Sequence, residues 1–114
     1  MTEQANPVPA GDEIVVLITA PSADKAAEIA RALVGERLAA CANIVGPIRS
    51  IYRWEGELHD EPEALLLVKT RAPVFERLCQ RVLALHEYSV PEIVALPITR
   101  GHAPYLRWIG ASVD

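Results

Sequence analysis

Strand-like and helical apolar patterns alternate in the order β-α-β-β-α-β-α, which predicts a small α+β domain. Three observations carry this. Continuous apolar runs of strand length occur at residues 14–18 and 64–68. Two segments repeat apolar residues at helical spacing, Ala26, Ile29, Ala30, Leu33 and Val34 in one and Val74, Leu78, Val82 and Leu85 in the other. Between them, residues 39–70 read as one long hairpin folded at Glu55-Gly56.

Residues 1–12 hold Pro7, Pro9, Gly11 and polar residues without periodicity, and read as a flexible tail. The single domain is expected over 13–114, a length that suits one domain. Residues 13–19 are β-branched and end at Ala20-Pro21, as a buried strand does. Ser22 is an N-cap for the first helix, and Asp24 in its first turn favours the helix dipole. Gly46-Pro47 interrupts the first hairpin arm. The proline removes a ladder donor, so a bulge or bend is expected there. Pro73 suits the start of the second helix, with Glu76, Arg77, Gln80 and Arg81 on its wet side. Residues 88–91 break that helix, and 92–98 form a fourth strand. Pro97 points to a strand that lies at a sheet edge or ends there. Pro104 opens a last helix with Tyr105, Leu106, Trp108 and Ile109 on its apolar side.

The first six elements make a ferredoxin-like split βαβ pattern. Right-handed crossovers then put both long helices on one face of an antiparallel sheet. The other face stays open, yet several strands are apolar throughout and ask for cover on both faces. The hairpin makes the same demand. Strands run about 5–6 residues, and an arm more than twice as long carries Tyr52 and Trp54 past the core into water. The sequence therefore predicts an oligomer.

Composition excludes several classes. Half the residues are hydrophobic (51%), enough for a core and too many for a disordered chain. A net charge of −4 with no Lys/Arg cluster argues against nucleic acid. No apolar run approaches the roughly 20 residues of a membrane helix, and the N-terminus has no basic or apolar signal region. Cys41 and Cys79 have no CxxC spacing and read as reduced thiols, so a cytoplasmic protein is expected.

Thr19-Ala20-Pro21, residues 36–44 (ERLAACANI), 50–56 (SIYRWEG), 67–70 (LVKT), 90–98 (VPEIVALPI) and 105–109 (YLRWI) together resemble the divalent-cation tolerance protein CutA family. The likeness spans about 14–112 in order. It implies a ferredoxin-like subunit in a tight homotrimer whose long hairpins pair across subunits, on a plan shared with PII-type signalling proteins. It also implies a role in tolerance to copper and other divalent metals. It implies no known reaction.

The candidate metal ligands are His86 and Cys41. Copper takes Cys, His and Met ligands according to oxidation state, so Cu(II) or another divalent ion is the candidate metal. Some family members carry a Cys before the Thr-Ala-Pro and two adjacent His at the end of the second helix. Here those positions hold Ile18 and Leu85-His86. The alternative for His86 is a C-terminal histidine on the last helical carbonyls. For Cys41 it is a small buried hydrophobe. His59 and His102 read as solvated.

Asn43, Lys69 and Glu92 are polar residues on strands that otherwise read as core. They either fix a subunit interface or floor an inter-subunit pocket walled by Tyr52, Trp54, Tyr105 and Trp108. In the second case the chain is a PII-like sensor of a small anion near Lys69, or a scaffold for a partner. No GxSxG, Walker, GxGxxG or HExxH motif occurs, and no enzyme is expected.

Overall fold

The structure, a computed structural model, describes residues 6–114. Its elements run β1 (Val8–Pro9), β2 (Glu13–Ala20), α1 (Ala23–Gly35), β3 (Cys41–Trp54), β4 (Glu57–Arg71), a 3-10 turn (Ala72–Val74), α2 (Phe75–Leu85), β5 (Ile93–Pro97), β6 (Arg100–Gly101) and α3 (Ala103–Ser112). The main sheet is antiparallel in the order β3-β4-β2-β5. This is the ferredoxin-like arrangement with a C-terminal helix added.

Alternation along the strands sends Ile14, Val16, Ile18 and Ala20 of β2, and Ala64, Leu66, Val68 and Thr70 of β4, to one face. There they meet Ala26, Ile29 and Leu33 of α1, Leu78 and Val82 of α2, and Ile109 of α3 in one apolar core. Val34, on the apolar stripe read from sequence, is 39% exposed at the stripe's margin. The hydroxyl of fully buried Thr70 donates to the Leu38 carbonyl at 2.8 Å, so no polar atom is stranded there.

Ser22 caps α1 by accepting from the Lys25 amide at 3.1 Å. The helix ends in a Schellman turn. Arg37 takes φ 62°, and the Leu38 amide returns to the Leu33 carbonyl at 2.9 Å. Glycine is usual at this left-handed position. Here the Arg37 guanidinium reaches Asp114 at 2.8 Å and the Asp114 amide donates back to the Arg37 carbonyl, which fastens the C-terminus to the turn.

Glu55 (φ 51°) and Gly56 (φ 80°) turn the hairpin, with positive φ at both centres as a two-residue primed turn requires. The register shifts between Val45 and Ile48, so Gly46 and Pro47 together oppose Ala64. β4 pairs with β2 only through residues 64–71. Beyond that, residues 48–54 and 57–63 pair with each other alone, a ribbon of roughly 23 Å. The molecule is accordingly 60 × 26 × 21 Å, with a radius of gyration of 15.7 Å against about 13 Å for a compact chain of this length.

The stretch read as a flexible tail is partly docked. Residues 1–5 lie outside the described residues. Val8 is buried, β1 pairs antiparallel with β6, and Asp12 receives a bidentate Arg71 guanidinium at 2.7 and 2.8 Å. A two-residue strand has too little pattern to be seen in sequence. β5 lies at the sheet edge, as Pro97 requires.

Candidate functional site

Past the bulge, the alternation of β3 and β4 builds a ribbon with two unlike faces. Ser50, Tyr52 and Trp54 of β3 oppose Glu61, His59 and Glu57 of β4, and Glu63 opposite Ile48 shares their face. This face is largely aromatic along one strand and acidic along the other. The reverse face pairs Arg49 with Pro62, Ile51 with Asp60 and Arg53 with Leu58. There the Arg49 guanidinium crosses to Asp60 with two bonds, at 2.8 and 2.7 Å.

The acidic-aromatic face meets the loop that joins α2 to β5. Between them lies a cavity of 480 Å³, within the size range of small-ligand sites. β3 contributes Ser50, Ile51, Tyr52 and Trp54, with Glu63 from β4 and Thr19 from β2. The loop adds Tyr88, Ser89, Val90 and Glu92.

Hydrogen bonds hold the loop. The Tyr88 hydroxyl donates to Glu63 Oε2 at 2.7 Å. The Tyr88 amide donates to His86 Nδ1 at 3.1 Å. Nδ1 is therefore an acceptor, the proton sits on Nε2, and Nε2 donates to the Thr19 carbonyl at 2.7 Å. On the ribbon, the Tyr52 hydroxyl donates to Glu61 at 2.5 Å and its ring stacks on His59. That bond pushes the Tyr52 phenol up to about 12. Burial, then the bond to Glu63, pushes the Tyr88 phenol up strongly. Both hydroxyls stay protonated donors at neutral pH.

The residues singled out from sequence fall into three places. Tyr52, Trp54 and Glu92 line the cavity. The Lys69 ammonium is held by the Asn43 side-chain carbonyl, and neither lines the cavity. Tyr105 and Trp108 sit together on α3, ring centres 5.4 Å apart, and the Tyr105 hydroxyl lies 3.6 Å from Cys41 Sγ. The bond to Cys41, then burial, moves the Tyr105 phenol up to about 12. Within one chain the seven residues thus do not form one pocket. Asn43, Lys69, Tyr52 and Trp54 share one face by register, but Asn43 is opposite Leu67 and Tyr52 opposite His59, eight residues and about 26 Å apart along β4.

His86 and Cys41 are not brought together either. His86 bonds to Thr19, which is opposite Leu65. Cys41 is opposite Lys69, four residues and about 13 Å further along β4. Both His86 ring nitrogens are already bonded, so a metal would have to displace one of these partners. Nor does the ring rest on the last helical carbonyls, since its contact is with β2. Among the described residues, no three His, Cys, Asp or Glu side chains converge as metal ligands. Burial pushes the Cys79 thiol up, as in an unreactive position.

Sequence reasoning missed Thr19, Ser50, Ile51, Glu63, Tyr88, Ser89 and Val90. The available signal was Tyr88, an aromatic just after a helix end, and the run of Glu57, Glu61 and Glu63 at even spacing on one arm.

An antiparallel ferredoxin-like sheet with helices on one face, a projecting ribbon and a ligand-sized cavity beneath it define the class, a ferredoxin-like α+β domain extended by a long hairpin. The comparisons narrow this class. The chain belongs to the CutA1 divalent ion tolerance protein family, whose family model matches residues 14–112. It is 60% identical over 97 residues to the divalent-cation tolerance protein CutA of Thermus thermophilus, covering 85% of this chain and 94% of that one. It is 46% identical over 109 residues to the chloroplastic CutA of Arabidopsis thaliana, covering 96% of this chain but only 58% of the relative. Among solved structures, the Thermus thermophilus protein superposes with a TM-score of 0.88 at 57% identity, covering 90% of this chain and 99% of that one. CutA from Synechococcus elongatus gives 0.90 at 30% identity, covering 96% and 97%. No helix among the described residues is long and apolar enough to cross a membrane.

Proposed function

We propose that this chain is a divalent-cation tolerance protein that works as a cytoplasmic homotrimer and binds copper or another divalent ion weakly or indirectly. The observation that supports the assembly is the helix-free sheet face. Leu17 and Leu67 lie on it half-buried, and Val45, Val94 and Leu96 are 44%, 46% and 52% exposed. Burial of such a face against other copies contributes about 25 cal/mol for each Å² of apolar surface. The reverse face of the ribbon, with Ile51 and Leu58 exposed, gains cover by lying against a neighbouring copy. The weak-binding clause follows from His86 and Cys41, which stand apart with their polar atoms already engaged.

Native mass spectrometry of the metal-free protein, with and without one equivalent of copper or zinc, tests both parts. Three chains that shed added metal are expected. Tightly held metal, lost in His86→Ala, contradicts the weak-binding clause. Unchanged growth of a deletion strain in copper, zinc and cobalt contradicts the physiological role. The cavity favours a second reading, a trimeric small-molecule sensor whose ligand sits beside the ribbon. A midpoint shift in a thermal screen of nucleotides, organic acids and amines supports it, because a ligand that binds only the folded state raises stability.

A further inference from the structure

We infer that the cavity between the ribbon and the α2–β5 loop receives a small organic cation, a primary alkylammonium or a quaternary ammonium. This inference rests on the ligand-binding reading of that cavity.

Charge comes first. Glu63 and Glu92 line the cavity, and among the described residues no Lys, Arg or His does. Neither carboxylate has an ion-pair partner among the described residues. The nearest arginine along the ribbon, Arg49, is engaged by Asp60 on the reverse face. Glu61, next along the same face, takes the Tyr52 hydroxyl. The cavity therefore carries uncompensated negative charge, and an anion entering it meets repulsion.

Its walls come next. Tyr52, Trp54 and Tyr88 supply three aromatic rings to one 480 Å³ space. Aromatic faces attract cations, and an alkyl or methyl surface gains burial against them. Both tyrosine hydroxyls already donate to carboxylates. What they leave to a ligand is ring surface and the remaining carboxylate oxygens. A bare divalent ion fits less well. It asks for several converging oxygens at 2.0–2.6 Å. Glu63 Oε2 is bonded to Tyr88, and no cluster of three acidic, His or Cys ligands is present among the described residues. An ammonium accepts longer contacts and uses the rings as well.

The test uses the full chain in its native assembly at low salt and about pH 8. Calorimetric titration with n-butylammonium and tetramethylammonium chloride is set against n-butanol and tert-butanol, their neutral counterparts, and against succinate and zinc. Amide shifts in the NMR spectrum locate each ligand.

The expected result is cation binding at about tenfold or greater preference over the neutral counterpart, equivalent to about 1.4 kcal/mol. Shifts should centre on Ser89, Val90 and Glu92. Glu63→Gln combined with Glu92→Gln should weaken it about tenfold or more. Trp54→Leu, away from the folded core, should weaken it through the loss of the ring alone. Equal binding of n-butanol and butylammonium, stronger binding of succinate, or zinc without ammonium binding would overturn the inference. If n-butanol binds the cavity as well as butylammonium does, or succinate binds it better, the sensor reading stands and the cation inference falls. If no compound shifts the cavity residues, both fall.

Discussion

The two halves of the β3–β4 hairpin are held by different forces. Residues 41–45 and 64–71 rest on a core in which Ala64, Leu66, Val68 and Thr70 are almost wholly buried. Residues 48–54 and 57–63 have no core beneath them. They rely on their own ladder, the Arg49–Asp60 pair, the Tyr52–His59 stack and the Tyr52–Glu61 bond, with the Tyr88 hydroxyl bonded to Glu63 at the base. A two-stranded ribbon of this kind is marginal in water. The first half is therefore specified by the chain itself, and the second takes its stability from whatever lies against it. The bulge at Gly46-Pro47 marks the boundary.

The contrast is broken most strongly from the core side. Leu66→Ala removes a fully buried side chain and should cost about 2–5 kcal/mol in denaturant unfolding. Trp54→Ala, on the ribbon and 44% exposed, should leave the unfolding of a single chain nearly unchanged. If both cost the same in isolated chains, the ribbon has a core of its own and the contrast fails.

The combined change Val94→Asp and Leu96→Asp on the helix-free face separates folding from association. Far-ultraviolet circular dichroism should keep the signal of the helices and the core sheet while the sedimentation coefficient falls to that of one chain. Loss of that signal would show that this face supports the fold rather than the assembly.

A smaller effect sharpens the boundary at the hairpin tip. Glu55 sits at φ 51°, where most L-residues lose about 1–2 kcal/mol and Asn loses less. Glu55→Asn should raise stability by up to about 1 kcal/mol. A decrease would mean that the Glu55 carboxylate has a role outside the turn.

The smallest effect concerns acid. Arg71 holds the Asp12 carboxyl below its ordinary range, first through the paired hydrogen bond and then through its charge. A carboxyl lowered by folding contributes stability above its unfolded value, near pH 4. That contribution fades as pH falls through the lowered folded value. Both side chains are more than a third exposed, so the contribution is about 1 kcal/mol or less. Asp12→Asn should flatten the loss of stability below pH 4. An unchanged acid profile contradicts this.

What could be read from sequence follows the same boundary. Helix faces, the turn at Glu55-Gly56, the bulge and the edge strand all came from local rules of spacing, φ and missing donors. The core follows from those rules because burial repeats with the period of each element. The cavity does not. It joins Thr19, Glu63 and Tyr88 from three separate stretches, and only the path of the loop after α2 brings them together. His86 illustrates the limit. Its place at a helix end was legible, but its bond to the Thr19 carbonyl depends on a strand 67 residues away in sequence. The short β1–β6 pairing was invisible for a different reason, because two residues carry no periodicity.

Sedimentation velocity of the metal-free chain at micromolar concentration tests the central claim most directly, that the ribbon and the helix-free sheet face are completed by other copies. A single species of three chains that persists on dilution is the expected result. A stable, folded species of 12.4 kDa would contradict it, because the ribbon would then stand in water unsupported.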